Sequence, residues 1–438
     1  MRFLVLLTFF WKINADLLTY CIDPKALDIF RERLDSCVAG KFDPREELAY
    51  VYETHISEYQ RAHELYAYSH FVLNAHSNLN YRDSCAQSDF EYIPLLPLAW
   101  RGGFSVDTEW TAGGVNCGKE VKSCSFRSLV NNIVEYWTSV VQQRQVDNTP
   151  GKRPPIKFFV ASTFNFRSVL GRGMPSQERR GEVWKTVSAF TEGTMLASYE
   201  RIVQCPDLLR RQFQHIVELP YVPLTLALDQ GEREESSDTD AGRSNMFYFA
   251  GRLRLWGPER VCGVRATLAA IISQRHDTLI TNVTYTSEGK LDPSLLVPMA
   301  TSQFCIIAKA NSYSSASFYS AIASGCIPVV ISDWFYFAFP KVIRYSDFVV
   351  RLSEESFLKN PAVALDTVLS THSSEQRDAM RVAMAPAAAL LSWGSVGSSV
   401  AATLFNEYML PEMAGVAVEG AGGLEGYIVY SGCTRWDP

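Results

Sequence analysis

Short apolar runs alternate with stretches of helical periodicity along most of this chain. After residue 245 the alternation is regular, and it predicts five short strands with helices between them. The predicted strands cover residues 246–250, 278–284, 303–308, 326–331 and 348–351. The predicted helices cover residues 260–274, 293–302 and 315–324. Strands that alternate with helices are typical of a parallel α/β sheet.

The first half of the chain has the same pattern in a less regular form. Strands are predicted over residues 90–100, 156–162 and 216–222, and helices over residues 48–73 and 126–143. Two successive α/β units predict an α/β fold with two Rossmann-like domains facing a cleft. Because ligands of such sheets bind outside the carboxyl ends of the strands, three segments of the second unit are of interest. They are residues 251–252, 310–315 and 332–333.

An acidic, polar stretch over residues 229–242 separates the two units. It has no apolar periodicity, so we predict a solvated linker between domains; a loop inserted in one domain is the alternative. The first domain then covers residues 16–228 and the second covers residues 243–374. Residues 375–438 are predicted to form C-terminal helices, broken near Pro386 and Gly394, and a glycine-rich tail.

The chain begins with an arginine followed by an apolar run over residues 3–11. This pattern is typical of a secretory signal peptide over residues 1–15, with Ala15 as the candidate cleavage position. The run is too short to cross a bilayer, which takes about 20 apolar residues. A buried first strand of a longer chain is the alternative. The signal peptide hypothesis predicts a protein of the secretory pathway.

Composition narrows the function classes. The formal net charge of −6 argues against a nucleic-acid-binding protein, which usually has a basic surface. The ten cysteines are an even number and are compatible with disulfides, whose pairing the sequence leaves open. Cys117 and Cys124 have no His or Cys partners at zinc-ligand spacing, so we expect no metal site. The sequon at Asn282 is a candidate N-glycosylation site.

Two kinds of group in the second unit suit a ligand that carries phosphates. Arg252 directly follows Gly251 at the end of a strand, with Arg260 close by, and an arginine offers phosphate oxygens a planar fork of donors. The helix predicted to begin near Ser315 offers free backbone amides, and the small polar residues before it, Asn311 among them, let backbone approach a ligand. The alternative is structural, with Arg252 in a surface salt bridge and Ser315 as a helix cap.

The stretch over residues 302–333 combines a Phe-Cys strand, a polar turn, a helix ending in Ala-Ile, and Gly-Cys-Ile-Pro-Val before an aspartate. In this it resembles the signature of the exostosin glycosyltransferase family. The matching positions are Ser302, Phe304, Cys305, Ala310, Asn311, Ala321, Ile322, residues 325–329 and Asp333. Residues 247–254, followed by Arg260, resemble the other donor-domain motif of the family. The resemblance extends diffusely over residues 17–357.

The resemblance implies two Rossmann-like lobes in the GT-B arrangement, the first for a glycan acceptor and the second for a UDP-sugar donor. It implies inverting transfer of a hexosyl, pentosyl or glucuronosyl group to a glycan or glycoprotein, with no cofactor and no obligatory divalent metal. It also implies residence in the Golgi or the endoplasmic reticulum.

Carried onto this sequence, the resemblance predicts a donor-binding site at the carboxyl ends of the strands of the second unit. Gly251, Arg252 and Arg260 would bind the diphosphate, and Asn311, Ser315 and Ser317 would form the helix start around it. Ser320 would face the ribose or the donor sugar, and Asp333 would close the cleft.

The sequence departs from the family at charged positions. Where the family carries an arginine and an acidic residue on the signature helix, this chain has Ser317 and Ser320. The alternative function is therefore a non-catalytic glycosyltransferase-like subunit. Such a subunit would bind glycan or stabilise a partner enzyme, as a homo-oligomer or as a hetero-oligomer with another glycosyltransferase. A two-lobed binding protein is a third interpretation, against which the signature argues.

The catalytic base remains open at the sequence level. A base must reach the acceptor hydroxyl and have a suitable pKa. The candidates in the first half are Asp89, Glu91, His70 and His76.

Overall fold

The structure is a computed structural model of the whole chain. It describes residues 19–37, 67, 71–72, 75–77, 81–93, 155–160, 194–198, 213–223, 242–251, 263–272, 274–282, 297–308, 314–333, 335–393, 400 and 403–404. Within these residues the protein is a mixed α/β protein with two parallel sheets of five strands each. No helix in these ranges is long and apolar enough to cross a membrane.

The first sheet contains five strands that lie side by side in chain order and pair in parallel. They are β1 (Tyr20–Cys21), β2 (Phe90–Tyr92), β3 (Ile156–Val160), β4 (Thr194–Ser198) and β5 (Phe213–Glu218). Helix α1 (Pro24–Cys37) follows β1. Aromatic side chains fill the core beside β2 and β3, with the Phe71 ring 5.5 Å from Phe158 and 4.8 Å from Tyr92, between centroids.

The second sheet has the strand order β10-β9-β8-β6-β7, and all its pairs are parallel. Its strands are β6 (Asn245–Gly251), β7 (Thr278–Asn282), β8 (Ser302–Ala308), β9 (Ile327–Ile331) and β10 (Val350–Leu352). The helices between and after them are α2 (Val264–Ile272), α3 (Val297–Ala300), α4 (Ala316–Ala323), α5 (Glu354–Lys359), α6 (Pro361–Thr371) and α7 (Ser374–Leu390).

The hydrophobic core of the second sheet follows the alternation of its strands. Every residue of β8 and β9 is buried, as is typical of central strands in a parallel sheet covered on both faces. Phe304, Ile306 and Ala308 of β8 pack in one cluster with residues of α2, α5 and α6. Gln303 faces α7, where its side-chain oxygen accepts a hydrogen bond from Arg381.

Most predicted strands of the second unit are confirmed within one or two residues, but the helix prediction was wrong in three places. The predicted helix over residues 293–302 runs too far, because Ser302 begins β8, and within the described part only Val297–Ala300 is helical. Helices α5 and α6 were not predicted. Pro386 lies inside α7 instead of breaking it.

Pro386 removes one backbone donor and crowds the carbonyl four residues earlier, a cost of about 3 kcal/mol that other interactions of α7 offset. Its first turn carries a capping box in which Ser373 accepts from the Gln376 N–H and the Gln376 side chain accepts from the Ser373 N–H. Buried Arg381, Met384 and Ala387 hold the helix against the protein.

Several sequence predictions lie partly or wholly outside the described residues. They are the leader over residues 1–15, residues 94–100 of a predicted strand, most of the helix over residues 48–73, the helix over residues 126–143, residues 229–241 of the linker and the glycine-rich tail. The domain boundaries therefore stay predictions. The segment after β5 contacts the second half of the chain, since the Trp393 indole N–H donates to the Pro220 carbonyl at 2.9 Å.

Candidate functional site

The second sheet has a topological switch point between β6 and β8. Strand β6 pairs with β7 on one side and with β8 on the other, so the connections that follow β6 and β8 leave toward opposite edges of the sheet. In sheets of this kind a crevice opens outside the carboxyl ends of the two strands at the switch, and ligands bind there. The register places Gly251 opposite Asn282, Ala308 opposite Ile331, and Ile331 opposite Leu352, so these strands end at one common edge.

The start of α4 lies just beyond this edge. Ser315 is its N-cap, with extended backbone, and the Ser315 hydroxyl makes no capping hydrogen bond. The first amides of α4 therefore lack the side-chain partner that an N-cap serine usually provides. Ser317, in the first turn, is half-buried. The Phe318 N–H donates to the Ser315 carbonyl at 3.1 Å, while the positive end of the helix dipole suits an anionic group.

Ser320 has a different environment from the one predicted. It is fully buried, and its hydroxyl donates to the Ala316 carbonyl at 3.0 Å within the same helix. A side chain with no exposed surface does not contact a ligand in this structure. Its contact with the ribose or the donor sugar stays a prediction, and it requires Ser320 to become exposed.

Asp333 follows β9 at the carboxyl edge and is exposed. Its carboxylate accepts from the backbone N–H of Glu354 at 3.0 Å, and its own N–H donates to the Glu354 carboxylate at 3.3 Å. This reciprocal pair holds the start of α5 against the end of β9. Asp333 thus has a structural task whether or not it also contacts a ligand.

The remaining predicted site residues are described only in part. Gly251 ends β6, and a Cβ added there would lie 2.8 Å from the Phe249 ring, so the position is closely packed. Asn282 is the last residue of β7. Arg252, Arg260 and Asn311 lie outside the described residues.

An aromatic loop after β9 was not predicted as part of the site. We define it as residues 335–339; Phe335 and Phe337 pack around Phe318 of α4, with ring centroids 5.0 and 5.3 Å away. Two buried tyrosines hold the backbone of Ala338. The Tyr319 hydroxyl accepts from its N–H at 3.1 Å, and the Tyr345 hydroxyl donates to its carbonyl at 2.6 Å.

We call the two hydrogen bonds that Tyr319 and Tyr345 make with the backbone of Ala338 the clamp on Ala338. Both tyrosines are neutral hydrogen-bonding groups. Burial raises the pKa of Tyr319 well above its ordinary value, and the negative charge of Glu218 raises it further. Burial also raises the pKa of Tyr345, with Tyr319 and Glu218 as smaller contributions. The next residue of the loop, Phe339, is fully buried with φ of 50°, a conformation that a bulky residue adopts only under constraint. The aromatic loop is therefore held in one conformation at the carboxyl edge.

Backbone conformation and packing explain why the Gly-Cys-Ile-Pro motif begins with a glycine. Gly325 has φ of 69°, and a Cβ there would lie 2.6 Å from Nη2 of Arg243. The buried Arg243 guanidinium donates to three backbone carbonyls, those of Met299, Ser302 and Ser324. This part of the motif is built around an internal arginine.

The candidate bases occupy varied environments. Asp89 accepts from both the backbone N–H and the hydroxyl of Thr19 at 2.8 Å, which links β2 to β1. Glu91 is fully buried within β2, and His76 is exposed beside Tyr81. His70 lies outside the described residues. Among the described residues no group of His, Cys, Asp and Glu side chains is arranged to hold a metal ion.

The fold defines an α/β protein whose second parallel sheet has a topological switch point, with the start of α4 and the aromatic loop following the neighbouring strands β8 and β9. The chain matches the family model of the exostosin GT47 domain over residues 50–366, which is well over half of its length. The protein therefore belongs to the exostosin GT47 family of glycosyltransferases. No curated protein matches the chain.

Proposed function

We propose that this protein transfers a sugar from a UDP-sugar donor to a glycan or glycoprotein acceptor, with inversion at the anomeric carbon. Membership of the exostosin GT47 family carries the proposal. In this view the two parallel sheets belong to two Rossmann-like domains in the GT-B arrangement. The first would hold the acceptor and the second the donor.

In an inverting transfer the acceptor oxygen attacks the anomeric carbon from the face opposite the leaving group. A general base takes the hydroxyl proton, the bond from the anomeric carbon to the diphosphate oxygen breaks, and UDP leaves with that electron pair. Negative charge develops on the departing diphosphate. Groups that are already aimed at this charge lower the barrier without any reorganisation.

The start of α4 is the described group that best suits the diphosphate. It lies at the carboxyl edge beside the switch point, and the Ser315 hydroxyl is not used as a cap. We propose that the amides after Ser315, together with Ser317 and Asn311, contact the phosphates. Arg252 and Arg260, which follow Gly251 in sequence, would supply the positive charge. No divalent metal is required in this scheme, and no base is assigned.

Two disulfides in the described part of the chain favour a lumenal location. Cys21 is bonded to Cys85, and Cys305 is bonded to Cys326. Stable disulfides are typical of proteins in oxidising compartments and are rare in the cytosol. We propose residence in the Golgi or the endoplasmic reticulum lumen on this ground, together with the apolar leader over residues 3–11.

A non-catalytic glycosyltransferase-like subunit is the second candidate function. The observation that favours it is the burial of Ser320 together with its bond to Ala316, which leaves that helix position with no group for a donor hydroxyl. Such a subunit would bind glycan or stabilise another glycosyltransferase in an oligomer.

The test is release of UDP by the full chain from UDP-hexose, UDP-pentose and UDP-glucuronate in the presence of glycan acceptors. We expect turnover with one donor, unchanged by EDTA. Arg252→Ala should lower kcat/KM by about 10- to 100-fold, because a lost hydrogen bond to a charged group costs about 1.5–3 kcal/mol. Arg344→Ala is the matched control, since the Arg344 side chain is 86% exposed and forms a surface ion pair with nearby Asp347.

Two results would decide between the candidates. Turnover that falls in Arg252→Ala and not in Arg344→Ala supports the enzyme. No turnover with any donor, and no binding of UDP at millimolar concentration, would reject it in favour of the subunit. Copurification of the chain with an active glycosyltransferase would then be the observation to seek.

A further inference from the structure

Arg351 places a guanidinium at the same carboxyl edge. It lies in β10, the edge strand, where it pairs with Val330, one residue before the end of β9. Its side chain is exposed, and its Nη2 donates to the Asp333 carbonyl at 3.4 Å, just beyond that end. Among the described residues no carboxylate forms an ion pair with Arg351.

The guanidinium is held against the aromatic loop. Its central carbon lies 5.6 Å from the centroid of the Phe337 ring, within the range of a cation–π contact. Phe337 itself stacks on Tyr345, with centroids 4.4 Å apart and planes inclined by 22°. Arg351 therefore rests on a ring whose own position is set by another ring.

The same loop connects Arg351 to the start of α4. Phe337 contacts Arg351 and also Phe318, which lies in the first turn of α4. The hydrogen bonds from Tyr319 and Tyr345 to Ala338, and the buried Phe339 with its positive φ, hold the loop between the two. The Arg351 guanidinium is therefore linked to the start of α4 by two contacts, one with the Phe337 ring and one between the rings of Phe337 and Phe318.

We infer that Arg351 binds an oxyanion of the substrate at this edge, with Phe337 as its platform. This inference rests on the proposed function, because the substrate of that reaction carries the oxyanion. The source is either a phosphate of the nucleotide-sugar donor or the carboxylate of a uronic acid. The chemistry is the same in both cases, a planar guanidinium fork that donates to two oxygens.

Three features distinguish Arg351 from an ordinary surface arginine. A guanidinium carries five N–H donors, and the Asp333 carbonyl uses one of them. The stack on Phe337 restricts the side chain before a ligand arrives, which reduces the entropy lost on binding. The carboxylates of Asp333 and Glu354 each accept the backbone N–H of the other residue.

The experiment is calorimetric titration of the full chain with UDP, uridine, pyrophosphate and glucuronate. The variants are Arg351→Ala, Arg351→Lys and Phe337→Leu, with Arg344→Ala as the control. We expect Arg351→Ala to raise the Kd of one oxyanion at least tenfold and to leave uridine unchanged. Arg351→Lys should recover part of the affinity, because it keeps the charge and loses the fork. Phe337→Leu should weaken the same ligand by a smaller factor.

The ligands distinguish the two sources of the oxyanion. Loss of affinity for UDP and pyrophosphate assigns Arg351 to the donor phosphates, and loss of affinity for glucuronate alone assigns it to a uronic acid. Unchanged affinity for every ligand that the wild type binds overturns the inference and leaves the proposed function standing.

The experiment also separates failure of the inference from failure of the proposed function. If the wild type binds pyrophosphate or glucuronate through Arg351 but not UDP, the oxyanion site stands and the UDP-sugar proposal falls. If the wild type binds none of the ligands, both are rejected.

Discussion

Single residues of the family motif and of the candidate site divide into those that support the fold and those with donors left for a ligand. Gly325 and Asp333 have internal partners, and the Ser320 hydroxyl bonds to its own helix. The Ser315 hydroxyl makes no capping bond, and Arg351 keeps most of its donors. Membership of a family motif therefore does not by itself identify a ligand-binding residue. A ligand-binding residue is identified by which of its donors and acceptors already have partners within the protein.

Gly325→Ala should lower the free energy of unfolding by about 2–4 kcal/mol. A non-glycine residue in the left-handed region costs about 1–2 kcal/mol, and the new Cβ would displace the buried Arg243 from carbonyls whose bonds are worth about 1.5–3 kcal/mol each. Urea unfolding of the variant and the wild type measures the difference.

Gly325→Asn separates the two causes of this loss. Asparagine tolerates a positive φ better than alanine does, but it brings the same Cβ against Arg243. If backbone conformation alone mattered, the asparagine variant would be nearly as stable as the wild type. We expect it to be more stable than the alanine variant and still less stable than the wild type, because it keeps only the cost of displacing Arg243.

At the scale of elements, the edge of the second sheet is tied to its helices by charged groups. Arg275, just before β7, donates to both Asp277 at 2.8 Å and Asp366 of α6 at 2.7 Å, and its guanidinium lies over Phe247. Arg381 joins α7 to β8 through Gln303. These contacts hold helices from distant parts of the sequence against the second sheet. Helices α5 and α6 lie on one face of this sheet, and α7 lies on the other.

Asp277→Asn should destabilise the protein at neutral pH and not in acid. The hydrogen bond from Arg275 holds the pKa of Asp277 below its ordinary value of 3.8, and burial opposes this. A carboxyl group with a lowered pKa contributes stability above its unfolded pKa, and this contribution is lost as the pH falls through the folded pKa.

We expect a loss of about 0.5–1 kcal/mol at pH 7, since Asp277 is one-third exposed and solvent screens the pair. The difference between variant and wild type should shrink below about pH 4. Urea unfolding across this range measures it, with Asp366→Asn as the control, because Asp366 is more exposed and should contribute less. A difference that stays constant with pH would contradict the ion-pair explanation.

At the scale of the whole molecule, the segment after β5 is held by the second half of the chain. Pro220 accepts the Trp393 indole N–H, and the Tyr221 ring lies 6.2 Å from the ring of Tyr319 in α4. Glu218, at the end of β5, is close enough to Tyr319 and Tyr345 to raise the pKa of both. The end of the first sheet thus contacts the same helix that borders the candidate site.

Trp393→Phe should lower the free energy of unfolding by about 1–2 kcal/mol, because it leaves the buried Pro220 carbonyl without its donor while keeping an aromatic ring. Urea unfolding followed by far-UV circular dichroism and by hydrogen exchange in β5 measures the effect. Faster exchange in β5 should accompany the loss. Unchanged exchange there would show that the contact does not stabilise the end of the first sheet.

The sequence by itself determined the class of fold and the position of the candidate site along the chain. The strands of the second unit are short apolar runs with turn residues at their ends, and these are local signals. The family motif over residues 302–333 likewise lies in one continuous stretch, so strand β8, helix α4 and strand β9 could all be predicted.

Only the tertiary structure decided which side chains at the candidate site are buried or bonded within the protein and which are exposed to a ligand. Helix α4 is apolar on almost every side, with Ala316, Phe318, Tyr319, Ser320, Ala321 and Ile322 all buried, so periodicity offered no polar face from which to orient Ser320. The clamp on Ala338 and the stack of Arg351 on Phe337 join residues that the pattern of hydrophobic positions does not connect. Such partners are set by how helices and loops pack on a sheet, which is a property of the folded chain.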